Sequence, residues 1–484
     1  MSLLQNSVIR KLITFLVTTL LSLSAIAMDF TQNQRLAHEG NASAQYNLGV
    51  MYYKGEGAPQ DNTKAFEWFQ KAANQGNTKA QFNLEAMLTN GTGVRQDDTK
   101  AFERFQKAAN QSNVDAQLKL GAMYSSGTGI RQDYAKAFEW YEKAANQGNA
   151  DAEYMLGLTY SLGKGLPQDN IKAFKLVQRS ANQGHIEAQN ILGSMYEEGS
   201  GIRQDYAKAF EWYEKAANQG NADAQLNLGF VYREGNGVPQ DNTKAFEWFQ
   251  KAANQGNAKA EVKLGEMYYE GKGVRQDYFK AFRWYEGPAN QGNSNAQYVL
   301  GLMYFLGNGV LQDSAKAVEW YEKAANQENL MAALKLAVIY QDGKGVRQNY
   351  AEAVKWYEKA ANQGDASAQF ILGYMYYSGK DVKQDYFKAH KWHEKAANQG
   401  NSGSQYTLGY MYYNGKGVRQ DYAEAAKWFR KGANQRDAAS QLFLGIMYYE
   451  GKGVRKSKVT ATEWFGKSCD NGFQKGCDAY RMFK

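Results

Sequence analysis

One segment of 36 residues, Ala42 to Asn77, returns without an insertion until about Phe473, giving 12 consecutive copies. A fixed period of this size constrains a chain more tightly than its length does. Each copy must be one supersecondary unit that buries its apolar face only by stacking on its neighbours. The 484 residues therefore do not divide into about three separate globular domains, as length alone would suggest. Glycine is abundant and only four prolines occur, which suits short helices joined by tight turns.

Within a copy the pattern predicts two helices. The leading helix runs roughly from Ser43 to Lys54 and stops at Gly55, where a residue tolerating positive φ closes it. A Gly-x-Gly-Val/Ala-x-Gln-Asp loop follows, and its aspartate (Asp61, Asp97, Asp133) is placed to cap the trailing helix. The trailing helix carries Ala65 to Ala73 and ends at Gly76, and Asn77 caps the next leading helix. Residues 34–41 match the end of a repeat. The organisation expected is a leader over 1–27, a capping half-repeat over 28–41, twelve repeats over 42–473 and a capping segment over 474–484. The fold class expected is an all-α solenoid.

Aligning the copies separates packing positions from variable ones. All ten tryptophans occupy one repeat position, broken only at Arg104 and Leu176. Tyr52 begins a second column and Met51 a third, with nine methionines, while Leu48-Gly49 recurs as Leu120-Gly121 and Leu192-Gly193. The glycine in that pair and the Ala65 column let helices approach closely. Identical bulky residues at one position of most copies read as a buried stack.

The pattern LG-x-M-Y-x-x-G-x-G-V-x-Q-D-Y-x-K-A-x-x-W-x-x-K-A-A-x-Q-G strongly resembles the Sel-1-like repeat family, a relative of tetratricopeptide repeats. The resemblance implies a right-handed superhelix of helix pairs that serves as a scaffold or adaptor for protein complexes. Many bacterial members are exported, and some act at contacts with host cells. The spacing of Cys469 and Cys477 is similar to that in a cysteine-rich secreted branch of the family, where such pairs bridge the end of one helix to the start of the next. Eight residues apart across a helix–turn–helix, these thiols are within reach of each other, and export supplies an oxidising compartment. That branch is linked to penicillin binding and weak β-lactamase-type activity, so a peptidoglycan- or penicillin-binding role is the alternative function. One Ser-x-x-Lys occurs, Ser161 to Lys164, but no Ser-Asp-Asn or Lys-Thr-Gly accompanies it.

Other chemical signals are weaker. The Gly-x-Gly loops follow helices, whereas nucleotide-binding loops need a strand before them. His390 and His393 are three apart on a helix without an evident carboxylate or cysteine partner, and His38 and His185 fall at helix ends and read as exposed. The Glu67–Lys71, Glu139–Lys143 and Glu211–Lys215 pairs read as a solvated face. No catalytic, cofactor-binding or metal-binding residue is assigned, and the chain reads as a binding protein.

The first residues resemble a processed leader. Arg10 and Lys11 precede an apolar run from Leu12 to Ile26, and Ala25-Ile26-Ala27 supplies a small-x-small cleavage site. This predicts cleavage after Ala27 and a periplasmic or secreted product, with no membrane-spanning stretch remaining. Cleavage lowers the net charge from +8 to +6, too weak to mark a nucleic-acid reader.

A protein partner is expected on the leading helices, on the concave side that such helices line in related stacks. Two of their positions vary from copy to copy, those of Val50 and Tyr53, and both turn aromatic toward the C-terminus. Tyr269, Phe305, Tyr374, Tyr377, Tyr410, Tyr413 and Tyr449 are the candidate contact residues, because tyrosine offers a large rigid contact with one polar tip.

Overall fold

The computed structural model describes residues 30–92 and 98–484. The expected leader and Asp97 lie outside the described residues. Among those described, all regular structure is helical, and the chain divides into two compact units, residues 1–248 and 249–484.

In the first unit a helix over 30–38 precedes the pairs Ala42–Lys54 with Asn62–Asn74, Thr78–Asn90 with Asp98–Asn110, and so on to Ala222–Glu234. The second unit runs in the same way from Ala258–Glu270 with Tyr278–Asn290 to Ala438–Glu450 with Lys458–Asp470, and closes with Gln474–Phe483. Within each unit a leading helix packs on its own trailing helix, and that trailing helix packs on the next leading helix. The leading helices Ala366–Ser378, Ser402–Asn414 and Ala438–Glu450 also touch one another in sequence.

The caps work as the sequence suggests. The Asn41 side chain accepts from the Ala44 N–H at 2.9 Å, and Asp61 accepts from the Lys64 N–H at 3.0 Å. That backbone donor holds the Asp61 carboxyl below its usual range. Gly55 adopts φ 76°, the left-handed conformation that ends the leading helix with little steric cost.

The centre of the core lies one residue past the tryptophans. Phe69, Phe105, Tyr141, Tyr213, Tyr321 and Phe429 are almost wholly buried, and each ring described with its partner glycine lies where that glycine's missing side chain leaves room. A Cβ on Gly301 would sit 2.7 Å from the Tyr321 ring. Trp68, Trp140, Trp356, Trp392 and Trp428 are buried as expected, but Trp212, Trp248, Trp284, Trp320 and Trp464 are only half-buried. The lysine three residues later covers the exposed indole face: Lys71 Nζ stands 4.1 Å from the Trp68 ring centre and Lys143 Nζ 3.9 Å from that of Trp140. These are the lysines of the expected Glu–Lys pairs, which are therefore engaged with aromatic faces as well as facing water.

A polar ladder, absent from the expectations above, ties repeat to repeat. Gln45 is buried; its side-chain N–H donates to the Ala37 carbonyl at 3.0 Å, and its oxygen accepts from Gln75 at 2.7 Å. The same arrangement recurs at Gln117, Gln189, Gln297, Gln369 and Gln405. Glu153 takes this position in its own repeat, accepting from Gln183 and pairing with Arg179.

Cys469 and Cys477 form a disulfide with Cα atoms 4.4 Å apart, tying Lys458–Asp470 to the terminal helix. Closing so short a loop contributes roughly 2–3 kcal/mol. A Cys469→Ser/Cys477→Ser variant should lose protection from hydrogen exchange in Gln474–Phe483 and keep it in repeats far from that end.

A tyrosine cleft in repeats 10 to 12

The variable rows of the leading helices converge where Ala366–Ser378, Ser402–Asn414 and Ala438–Glu450 touch. Tyr374, Tyr377, Tyr406, Tyr410, Phe443 and Ile446 line a cleft of about 630 Å³, with Phe473 and Lys475 from the chain's end completing it. That volume is in the range of ligand-binding clefts. Phe443 forms the floor. It stacks on Phe429 with ring centres 5.2 Å apart, and Tyr406 and Tyr410 meet it at 5.8 and 5.6 Å. Tyr374 is 57% exposed at the mouth. Partial burial pushes the hydroxyls of Tyr377 and Tyr406 above their ordinary pKa. They therefore stay neutral at physiological pH and serve as hydrogen-bonding tips on apolar rings.

Two lysines edge the cleft. Lys416 Nζ lies 5.5 Å from the Tyr377 ring, 5.4 Å from Tyr386 and 5.9 Å from Tyr410. Lys452 lies 5.4 Å from Tyr413, whose hydroxyl donates to Glu450 at 3.0 Å. Among the described residues, no acidic side chain lines the cleft itself. The arrangement offers apolar surface, hydroxyl groups and positive potential.

Of the candidate contact residues, the structure brings Tyr374, Tyr377 and Tyr410 into this one cleft, with Tyr413 beside it 6.1 Å from Phe443. It does not bring the others there. Tyr449 packs on Phe483 at 4.4 Å, Phe305 packs against the core, and Tyr269 meets Tyr278 while its hydroxyl accepts from Asn308. Tyr406 and Phe443 were not among the candidates. Phe443 carried only a partial signal: the equivalent position is Asn or Lys in six other copies, apolar in four (Met155, Ile191, Val299 and Ile371) and Thr407 in one. A smaller cleft of about 290 Å³ in repeats 1 and 2 uses the same rows, with Tyr46, Val50 and Tyr53.

The remaining signals resolve into structure. Ser161 stands in the last turn of its helix, its carbonyl accepting from Gln168, while Lys164 lies over the Tyr134 ring at 5.6 Å. His38 is exposed as expected and meets the Trp68 ring edge-on. His185 is instead a half-buried helix cap whose Nδ1 accepts from the Ala188 N–H at 3.1 Å. His390 bonds Tyr412, and His393 takes the buried aromatic position of its repeat, with Nδ1 3.1 Å from Ser404 Oγ. Among the described residues no three His, Cys, Asp or Glu side chains converge to hold a metal.

Burial lowers the His393 pKa to about 4. The folded protein holds this imidazole neutral, whereas the unfolded chain takes up a proton below about pH 6.5. Stability is therefore full above pH 6.5 and is lost as pH falls toward 4, by about 2 kcal/mol between pH 7 and 5. Local exchange protection of Tyr386–Asn398 measured against pH should show this loss, and a His393→Phe variant should remove it.

The family model for the Sel1 repeat matches the chain twelve times in unbroken succession, from 42–77 to 438–473. Among solved structures, c5321, a protective antigen present in uropathogenic Escherichia coli strains and displaying an SLR fold, is 36% identical. The match covers 94% of this chain and 90% of that one, with a TM-score of 0.62. A Sel1 repeat protein from Oxalobacter formigenes is 34% identical over 64% of this chain and 89% of its own, with a TM-score of 0.51. No curated protein sequence matches. Twelve tandem matches over 42–473, built in the described residues from helix pairs, place the chain in the Sel1 repeat family.

Proposed function

We propose that the chain is an exported scaffold that holds a protein partner against the tyrosine cleft of repeats 10 to 12. The observation that carries this reading is the cleft itself, a concentration of tyrosines at positions that packing leaves variable. Aromatic anchors of this kind dominate protein interfaces. Sel1 and related helical repeats are typical interaction scaffolds, and the described residues contain no helix long and apolar enough to cross a membrane. Export is supported by the order of residues 1–27, by the disulfide, and by the similarity to a protective antigen.

A photo-crosslinking residue at Tyr374 should capture a discrete partner from envelope or host-cell material, and the same residue at the exposed Lys391 should not. Equal capture at both positions would overturn the cleft assignment. For export, N-terminal sequencing of protein from the envelope or medium should begin at Met28. An intact Met1 in cytoplasmic protein would contradict it.

A further inference from the structure

The second unit has another surface, which adjoins the cleft at Lys416 and Lys452: the edge formed by its Gly-x-Gly loops and the first turns of its trailing helices. Consecutive repeats are continuous along this edge. A Cβ on Gly309 would fall 2.3 Å from the Tyr278 carbonyl oxygen, and Gly417 and Gly453 approach Tyr386 and Tyr422 in the same way. A side chain at those three positions would collide with backbone, so these loops rest on the first turn of the preceding trailing helix, whereas the repeat 366–401 carries Asp381 at the same position.

Two kinds of side chain project from the edge. The position two residues before the cap of the trailing helix is Arg275, Arg347, Lys383, Arg419 and Arg455 in five of the six repeats, and all five are exposed. The lysines of neighbouring Gly-Lys-Gly loops are partly neutralised: Lys272 pairs with Glu270, Lys344 with Asp342 and Lys452 with Glu450. Among the described residues, none of those five cations enters an ion pair. Interleaved with them are apolar side chains held in water: Phe279 at 63%, Leu311 at 91%, Phe387 at 74% and Val459 at 72% exposure. Leu311 stands where the sixth repeat would carry its arginine.

We propose that this edge seats on an anionic lipid surface, the arginines engaging headgroup phosphates and Phe279, Leu311, Phe387 and Val459 entering the interface. Cations alone would suit any polyanion. Large apolar side chains kept exposed between them favour a bilayer, because a linear polyanion has no apolar layer to receive them. The edge adjoins the cleft at Lys416 and Lys452, but none of the side chains proposed to meet the lipid lines the cleft, and a protein held there would present its cleft to a partner near a membrane.

Sedimentation of the full chain with phosphatidylglycerol-rich vesicles tests this. Binding should be strong at low salt, weaker at high salt, and absent with pure phosphatidylcholine. A basic side chain at an anionic surface is worth roughly fivefold in partitioning, so Arg347→Gln/Arg419→Gln/Arg455→Gln should lower binding about a hundredfold. A second variant, Phe279→Ser/Phe387→Ser, should remove most of the binding that survives high salt. Both sets are exposed, and circular dichroism should show unchanged helicity. No binding to anionic vesicles, or variants that bind as well as the unaltered chain, would overturn the proposal. So would binding to heparin without binding to vesicles, which would assign the edge to a free sulfated polysaccharide.

Discussion

Replacing Tyr321 with Ala should destabilise its repeat by about 3–5 kcal/mol, whereas the adjacent Trp320→Ala should cost about 1–2 kcal/mol. Size alone suggests the opposite order. Tyr321 is fully buried and its ring occupies the space left by Gly301, so truncation opens a cavity lined by both helices of the pair. Trp320 is half-buried, and one face of its ring is already covered by Lys323, 4.1 Å away. Removing it exposes less apolar surface and leaves no enclosed void. Stacked repeats couple mainly to nearest neighbours, so the loss should be read locally. Hydrogen exchange over Ser314–Asn326 and the flanking helices provides that reading. Equal losses for the two variants would return the tryptophans to the centre of the core.

The second large effect concerns binding. With a captured partner, Tyr374→Ala/Tyr377→Ala/Tyr410→Ala should weaken affinity by at least a hundredfold. An interfacial tyrosine that acts as a hot spot costs about 2 kcal/mol, some thirtyfold, when truncated, although such losses add imperfectly. The fold should persist, because Tyr374 is mostly exposed and the other two are only partly buried. Tyr449→Ala is the informative contrast. Its ring packs on Phe483 rather than facing the cleft, so it should loosen the terminal helix and leave affinity nearly unchanged. A binding titration with circular dichroism on both variants separates the outcomes. Unchanged affinity in the triple variant would move the partner to another surface.

The repeat, its caps and its two helices were legible because each rests on local rules that recur in every copy. Asn before the leading helix, Asp before the trailing one and Gly after the leading helix mean the same thing at nearly every occurrence. Depth of burial was less legible. Tryptophan and the aromatic after it are adjacent in sequence, and only the position of the Leu-Gly glycine decides which ring enters the core. The cleft was half-legible for a similar reason. Aromatic enrichment marks rows, but whether Tyr410 faces a groove while Tyr449 meets Phe483 depends on the terminal helix Gln474–Phe483, which lies outside the period. The basic edge is hard to see in the sequence because its charges are 36 residues apart and the net charge of the whole chain stays modest.

The glutamine ladder makes the repeats interchangeable parts. Where the ladder is intact, each junction is the same coupling, a side-chain amide reaching a carbonyl eight residues back and a second amide arriving from thirty residues ahead. Excising or duplicating one 36-residue unit between two such junctions would regenerate an identical coupling at the seam. Unequal recombination within the coding sequence would therefore yield shorter or longer folded chains rather than broken ones. Glu153, Glu261 and Ala333 interrupt the ladder, and a crossover there would join mismatched ends, so these three repeats anchor the order in which the others are strung.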